Sequence, residues 1–180
     1  SKSNNKLEIK MTTSVTGIAA SGTGNISGAL TNTTSAPVTV TFTITPSANG
    51  CSGTAITATV LVNPTPDVMA TPSTQTICSG QSISSIVLSS GVAGTNLSWT
   101  RDNTATVTGI AASGNGTISG SLVNTTSSPV TVTFTITPSA NGCTGTAITA
   151  TVVVNPLPNS AISGGNIITC QNITTTLSSP

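Results

Sequence analysis

Four cysteines, three carboxylates and four cations are the whole stock of ionisable side chains in this 180-residue sequence, which has no histidine and no tyrosine. General acid/base catalysis draws on a histidine or on a poised carboxylate pair, and Glu8, Asp67 and Asp102 share no short motif. A zinc site would need Cys51, Cys78, Cys143 and Cys170 to converge without histidine, and they form no CxxC. Lys2, Lys6, Lys10 and Arg101 leave a net charge of only +1, which supplies no basic patch for nucleic acid. Enzyme, metal, cofactor and nucleic-acid functions are therefore not expected. What the cysteines can still do is form disulfides in an oxidising compartment.

The surrounding sequence is that of a building unit. Ser and Thr occupy 64 positions and charged residues 4%, against roughly 25% charge in an ordinary soluble domain. Neutral, β-prone surfaces of this kind tend to associate laterally. A hydrophobic content of 36% with abundant Val and Ile argues for packed cores and against disorder. No apolar run has the length of a membrane span, and the lysine-rich start is not a signal peptide.

Self-similarity organises the rest. Val15 to Gly22 returns as Val107 to Gly114, and Pro37 to Pro46 returns as Pro129 to Pro138, at a constant shift of 92 positions. Cys51 and Cys143 are related by the same shift, as are Cys78 and Cys170. A period this long suits a tandem sandwich domain rather than a solenoid turn. Asn63-Pro64-Thr65-Pro66 and Asn155-Pro156-Leu157-Pro158 read as short, stiff linkers. Residues 67–158 then form a complete module, and residues 1–66 a module without its front strands. Residues 159–180 hold only such a front, either the start of a following module or a strand donor to a neighbouring chain. Leu7 to Lys10 falls where Trp99 to Asp102 stands in the complete module.

Within residues 67–158, Thr131, Thr133, Thr135 and Thr137 alternate with Val130, Val132, Phe134 and Ile136, the period of a strand with one buried face. Seven strands are expected, near 68–76, 82–88, 95–101, 105–111, 116–123, 129–138 and 146–154, with turns at clusters such as Ala140-Asn141-Gly142. The fold class is all-β: tandem immunoglobulin-like sandwich modules, with Trp99, Phe134 and Phe42 as core aromatics.

Thr76-Ile77-Cys78-Ser79-Gly80, Leu97 to Asn103, Val107 to Ile110 and Thr133 to Cys143 together resemble the PKD-like repeats of very large Bacteroidota surface adhesins, including gliding-motility adhesins exported by type IX secretion. The resemblance covers nearly the whole chain and implies an extracellular, non-catalytic repeat. It departs from the usual Trp-Asp-Phe-Gly-Asp-Gly stretch of PKD domains, of which Trp99 and Asp102 are only a loose echo, so no binding role is carried over.

Three cysteine connectivities respect the repeat. The primary expectation is Cys78 with Cys143 inside one module. The second is Cys51 with Cys78 and Cys143 with Cys170 across the linkers. The third is a bridge to a neighbouring module. Chain entropy, about 4 kcal/mol for either of the first two, does not choose. An immunoglobulin topology counts against the first, because it sets Cys78 and Cys143 at opposite ends.

Other motifs carry less. One Thr ladder per period is too sparse for an ice-binding array. Asn25, Asn32, Asn96, Asn115, Asn124 and Asn172 match the Asn-x-Ser/Thr acceptor pattern, as chance allows in so Ser/Thr-rich a chain. Arg101 and Asp102 suit a turn better than a calcium site, which needs more oxygen ligands. The Ser21 to Gly24 and Ser113 to Gly116 segments lack the Lys and helix of a phosphate loop. The expected function is a structural segment of an extracellular adhesin or filament, with neighbouring modules or identical chains as partners and head-to-tail strand complementation as its assembly. The alternatives are a glycan- or protein-binding module, through loops 89–96 or 111–115, and an accessory domain of a secreted hydrolase.

Overall fold

The computed structural model describes residues 4–10 and 14–158; the expected donor segment, residues 159–180, lies outside them. All regular structure among the described residues is β. The first repeat contains β1 (Asn4–Lys10), β2 (Val15–Thr16), β3 (Ser21–Thr23), β4 (Thr31–Asn32), β5 (Val38–Ala48), β6 (Cys51–Ser52) and β7 (Ile56–Val62). The second contains β8 (Met69–Thr71), β9 (Thr74–Cys78), β10 (Val87–Ser89), β11 (Asn96–Arg101), β12 (Val107–Gly109), β13 (Ser113–Asn115), β14 (Leu122–Asn124), β15 (Val130–Ala140), β16 (Cys143–Thr144) and β17 (Ile148–Asn155).

The larger sheet of the second repeat runs β13-β11-β15-β17-β9, and its last pairing is parallel. The pairs β8–β10 and β12–β14 form the opposing layer, tied by bridges Ser82–Ser121 and Ile86–Ile118. Alternation along β15 buries Val132, Phe134 and Ile136, and β17 adds Ala150, Val152 and Val154; all six are fully buried. Ile86, Ile118 and Leu122 close over them from the other layer. Trp99 packs edge-on to Phe134, with ring centroids 5.7 Å apart, a geometry that aligns the positive ring edge with the negative face. Gly114 makes room for it: a Cβ there would lie 2.4 Å from the indole Cζ2.

Three expected strands do not form as single elements; of 82–88, only Val87 and Leu88 fall in a strand, β10, with Ser82 and Ile86 in isolated bridges. The 68–76 segment breaks at Pro72-Ser73, because β8 pairs with β10 in one layer while β9 crosses to β17 in the other. The 116–123 segment is a strand only from Leu122, in β14, with isolated bridges at Ile118 and Ser121 and with Gly116 and Gly120 at positive φ before it. Period-2 reading detects alternation but not a change of sheet.

The first repeat reproduces this plan from β11 onward. Asn4 faces Ser47 in β1–β5, and Asn96 faces Ser139 in β11–β15, each pair offset from the other by the repeat period. The atypical stretch Asn4–Lys10 thus takes the place of β11. Its hairpin tip is also copied: Asn49-Gly50 and Asn141-Gly142 both have positive φ, the two-residue turn that matches strand twist.

Asn124 holds the layers together. Its Nδ2 donates to Ser128 O and Val154 O, both at 2.8 Å, and its Oδ1 accepts from Thr126 N and Thr126 Oγ1. Asn32 repeats the arrangement with Ala36 O, Val62 O and Thr34. Both belong to the Asn-x-Thr pattern, and their amides are committed to the fold. Replacing Asn124 with Ala strands a buried carbonyl on β17, so Asn124→Ala should lower the stability of this module by about 3 kcal/mol in denaturant unfolding. Thr135→Val on the exposed face should change it by less than about 0.5 kcal/mol.

Candidate functional site: an open groove and a module joint

Among the described residues the first repeat has no counterpart of β8 to β10, and its core shows the consequence. Val15, Val40 and Phe42 are buried, but Val60 is 43% exposed and Ile56 63%, whereas Val152, the counterpart of Val60, is fully buried. Ile26 and Leu30 are half-buried where Ile118 and Leu122 are sealed. The result is an apolar groove of about 730 Å³ bordered by Ile18, Ile26, Leu30, Phe42 and Val60. Among the described residues, β7 pairs only with β5, leaving one edge of backbone donors and acceptors without a strand. In the second repeat the equivalent edge is closed by β9 in parallel register from Thr151–Thr74 to Asn155–Cys78. The exposed groove follows only from the three-dimensional neighbours.

One end of the groove meets the second module. Pro64 and Pro66 are buried, Asn63 Nδ2 donates to Asn141 O at 3.1 Å, and a Cβ on Gly145 would clash with Pro66 O. The linker is therefore packed onto the β15–β16 hairpin, and only glycine permits that approach. Gly53, the counterpart of Gly145, meets only Pro46 of its own hairpin.

The cysteines sit at module poles. Cys51, Cys78 and Cys143 are free thiols, and Cys51 and Cys78 are exposed; Cys170 lies outside the described residues. Cys143 follows the Asn141-Gly142 turn and borders the groove beside Asn63 and Thr65. Cys78 is opposite Asn155, at the far end of β17. The seven steps of β17 from Ile148 to Asn155 span roughly 23 Å at about 3.3 Å per residue. The expected Cys78–Cys143 bridge is not brought together, since a disulfide needs Cα atoms within about 7 Å.

The charged residues serve as local clamps. Arg101 Nε donates to Ile110 O at 2.8 Å and to Ala111 O at 3.1 Å, and Nη1 to Val107 O at 3.1 Å. Asp102 accepts from Thr133 N at 2.7 Å. Asp67 accepts from Ser90 Oγ and Gly91 N, which hold its carboxyl below the usual range. Among the described residues no three His, Cys, Asp or Glu side chains cluster for a metal. Trp99 is buried, as expected of a core aromatic, with its Nε1 lacking a hydrogen-bond partner.

The PKD-like domain profile matches residues 5–66 and again residues 75–158. The chain belongs to the PKD-like domain family. No curated protein matches it. PKD-like domains are typically extracellular structural or binding modules and are generally non-catalytic. No helix among the described residues is long and apolar enough to cross a membrane.

If the groove is open, truncation there costs little. Val152→Ala should destabilise its PKD-like module by about 2 kcal/mol and Val60→Ala by under about 1 kcal/mol in the unassembled chain, read by denaturant unfolding. Because the Asp67 pKa is depressed, its stabilisation is present above the ordinary carboxylate value, about 3.9, and is lost as pH falls through the folded-state pKa. Asp67→Asn should lower the second module's melting temperature at neutral pH and flatten its acid dependence below about pH 4.

Proposed function

We propose that the chain is a structural repeat segment of an extracellular bacterial surface adhesin or filament, of the kind represented by the large adhesins that Bacteroidota export for gliding, and that it performs no catalysis. We further propose that identical chains join head to tail, the 159–180 segment of one chain completing the first module of the next by strand complementation. The observation that carries this reading is the apolar groove beside β7, whose counterpart in the second module is closed by β8 to β10. Residues 159–180 correspond in the repeat to that closing segment, and Cys170 marks the position of Cys78. An incoming strand would satisfy the β7 edge and bury Ile56 and Val60. Packed Pro-rich linkers suit a stiff row of sandwiches.

The reading predicts that the reduced full chain forms linear particles as concentration rises, visible by light scattering and electron microscopy. Val60→Asp, in the groove wall, should abolish assembly while leaving the second module's unfolding unchanged. A full chain that stays monomeric at every concentration overturns head-to-tail completion.

A further inference from the structure

We propose that the hairpin tip of the first module, Pro46 to Gly53, is a docking site for an Asn-Pro-x-Pro segment from another PKD-like module. The second tip shows what such a contact looks like. Pro138 to Gly145 differs from Pro46 to Gly53 only by Thr144 in place of Ser52, and the two backbones match. Asn49 and Gly50 have φ of 54° and 81°, Asn141 and Gly142 of 50° and 78°. Gly53 N donates to Pro46 O at 2.8 Å, and Gly145 N to Pro138 O at 2.9 Å. At the second tip the linker is seated. Asn63 Nδ2 donates to Asn141 O, Pro64 and Pro66 are buried, and Pro66 O lies so close to Gly145 that no Cβ fits. Pro138 and Ala140 are buried there and Cys143 is half-buried, whereas at the first tip Pro46 is half-buried and Ala48 and Cys51 are exposed. Among the described residues the first tip thus presents openly the surface that the second tip covers, as a shallow hollow of about 300 Å³ bordered by Pro46, Ala48, Cys51 and Gly53.

The seat defines what it takes. An asparagine reaches the turn carbonyl, two proline rings are buried, and the carbonyl of the second proline lies on the glycine. Because proline fixes φ, the segment stays near its bound backbone and loses little freedom on docking. The third position is free, since Thr65 is exposed between the two prolines. The second linker carries the same pattern: Asn155-Pro156-Leu157-Pro158 keeps the asparagine and both prolines and changes only that exposed position. At the first tip the equivalent acceptor is Asn49 O, and the equivalent glycine is Gly53, where a Cβ would meet only Pro46. Residues 46–53 carry no charged side chain, so a neutral Asn-Pro-x-Pro segment leaves no charge uncompensated on docking. The hollow shares no residue with the β7 groove. Docking at the tip is therefore independent of strand complementation.

The test titrates the isotope-labelled, reduced full chain with an end-capped peptide of the first linker, Val62-Asn63-Pro64-Thr65-Pro66, and follows the backbone amides by NMR. The linker's own seat is helped by its covalent tether, so the free peptide is taken into the millimolar range. Saturable shifts at Asn49 to Gly53, with none at Ile56–Val62, are the expected result. A peptide carrying Thr65→Leu should bind equally well, and one carrying Asn63→Ala about fivefold more weakly for the loss of one hydrogen bond. Gly53→Ala in the chain should remove the shifts while the rest of the amide spectrum stays in place. The peptide variants leave the chain untouched, so they decide the outcome even where Gly53→Ala perturbs folding. No saturable shift at the first tip, shifts confined to Ile56–Val62 or to Asn141 and Gly145, equal binding of the Asn63→Ala peptide, or undiminished binding by a folded Gly53→Ala chain would each overturn the docking site.

Discussion

A strand that ends a sandwich module cannot stay bare on its core side. β17 is sealed in the second module because β9 pairs in parallel with its outer edge while Ile86, Ile118 and Leu122 of the opposing layer cover Ala150, Val152 and Val154. β7 has the same sequence pattern and the same antiparallel partner, but its outer edge is open among the described residues and its apolar side chains face the groove. Burial of side chains such as Ile and Val is worth about 1.5 kcal/mol or more each, a gain realised beside β17 and left unrealised beside β7 among the described residues. The head-to-tail joining proposed above depends on how that edge is satisfied.

The linker between the two modules is packed in place. Buried Pro64 and Pro66, the Asn63–Asn141 hydrogen bond and the Gly145 approach hold linker and hairpin together. Prolines fix φ and withhold donors, so the linker needs few partners and adds little freedom. With a mostly uncharged, Ser/Thr-rich surface, such a unit has few groups that repel a neighbour and many that tolerate close packing.

Much of this was legible in the sequence, because tandem near-identity forces equivalent residues into equivalent places. The all-β class, the strand of Val130–Ala140, the core roles of Trp99, Phe42 and Phe134, and the position of Leu7 to Lys10 all follow from the repeat and its alternation. The division of 68–76 into β8 and β9 was not legible, since Pro72-Ser73 marks a turn but not a change of sheet. Asn32 and Asn124 were read as chance acceptor motifs, although their recurrence one period apart, each two residues before a Thr, was a signal for a buried side-chain hub. The cysteines misled for a related reason. Two per period suggested an intramodule pair, yet β17 separates Cys78 from Cys143 by the length of the sheet.

The open edge of β7 is the central claim, and amide hydrogen exchange across Ile56–Val62 tests it most directly. In the reduced, unassembled chain, amides of β7 that do not bond to β5 should exchange far faster than their counterparts in β17. On assembly, they should become protected to a similar degree. Equal protection of β7 and β17 before assembly, or β7 amides that stay fast within the assembled row, would contradict the account.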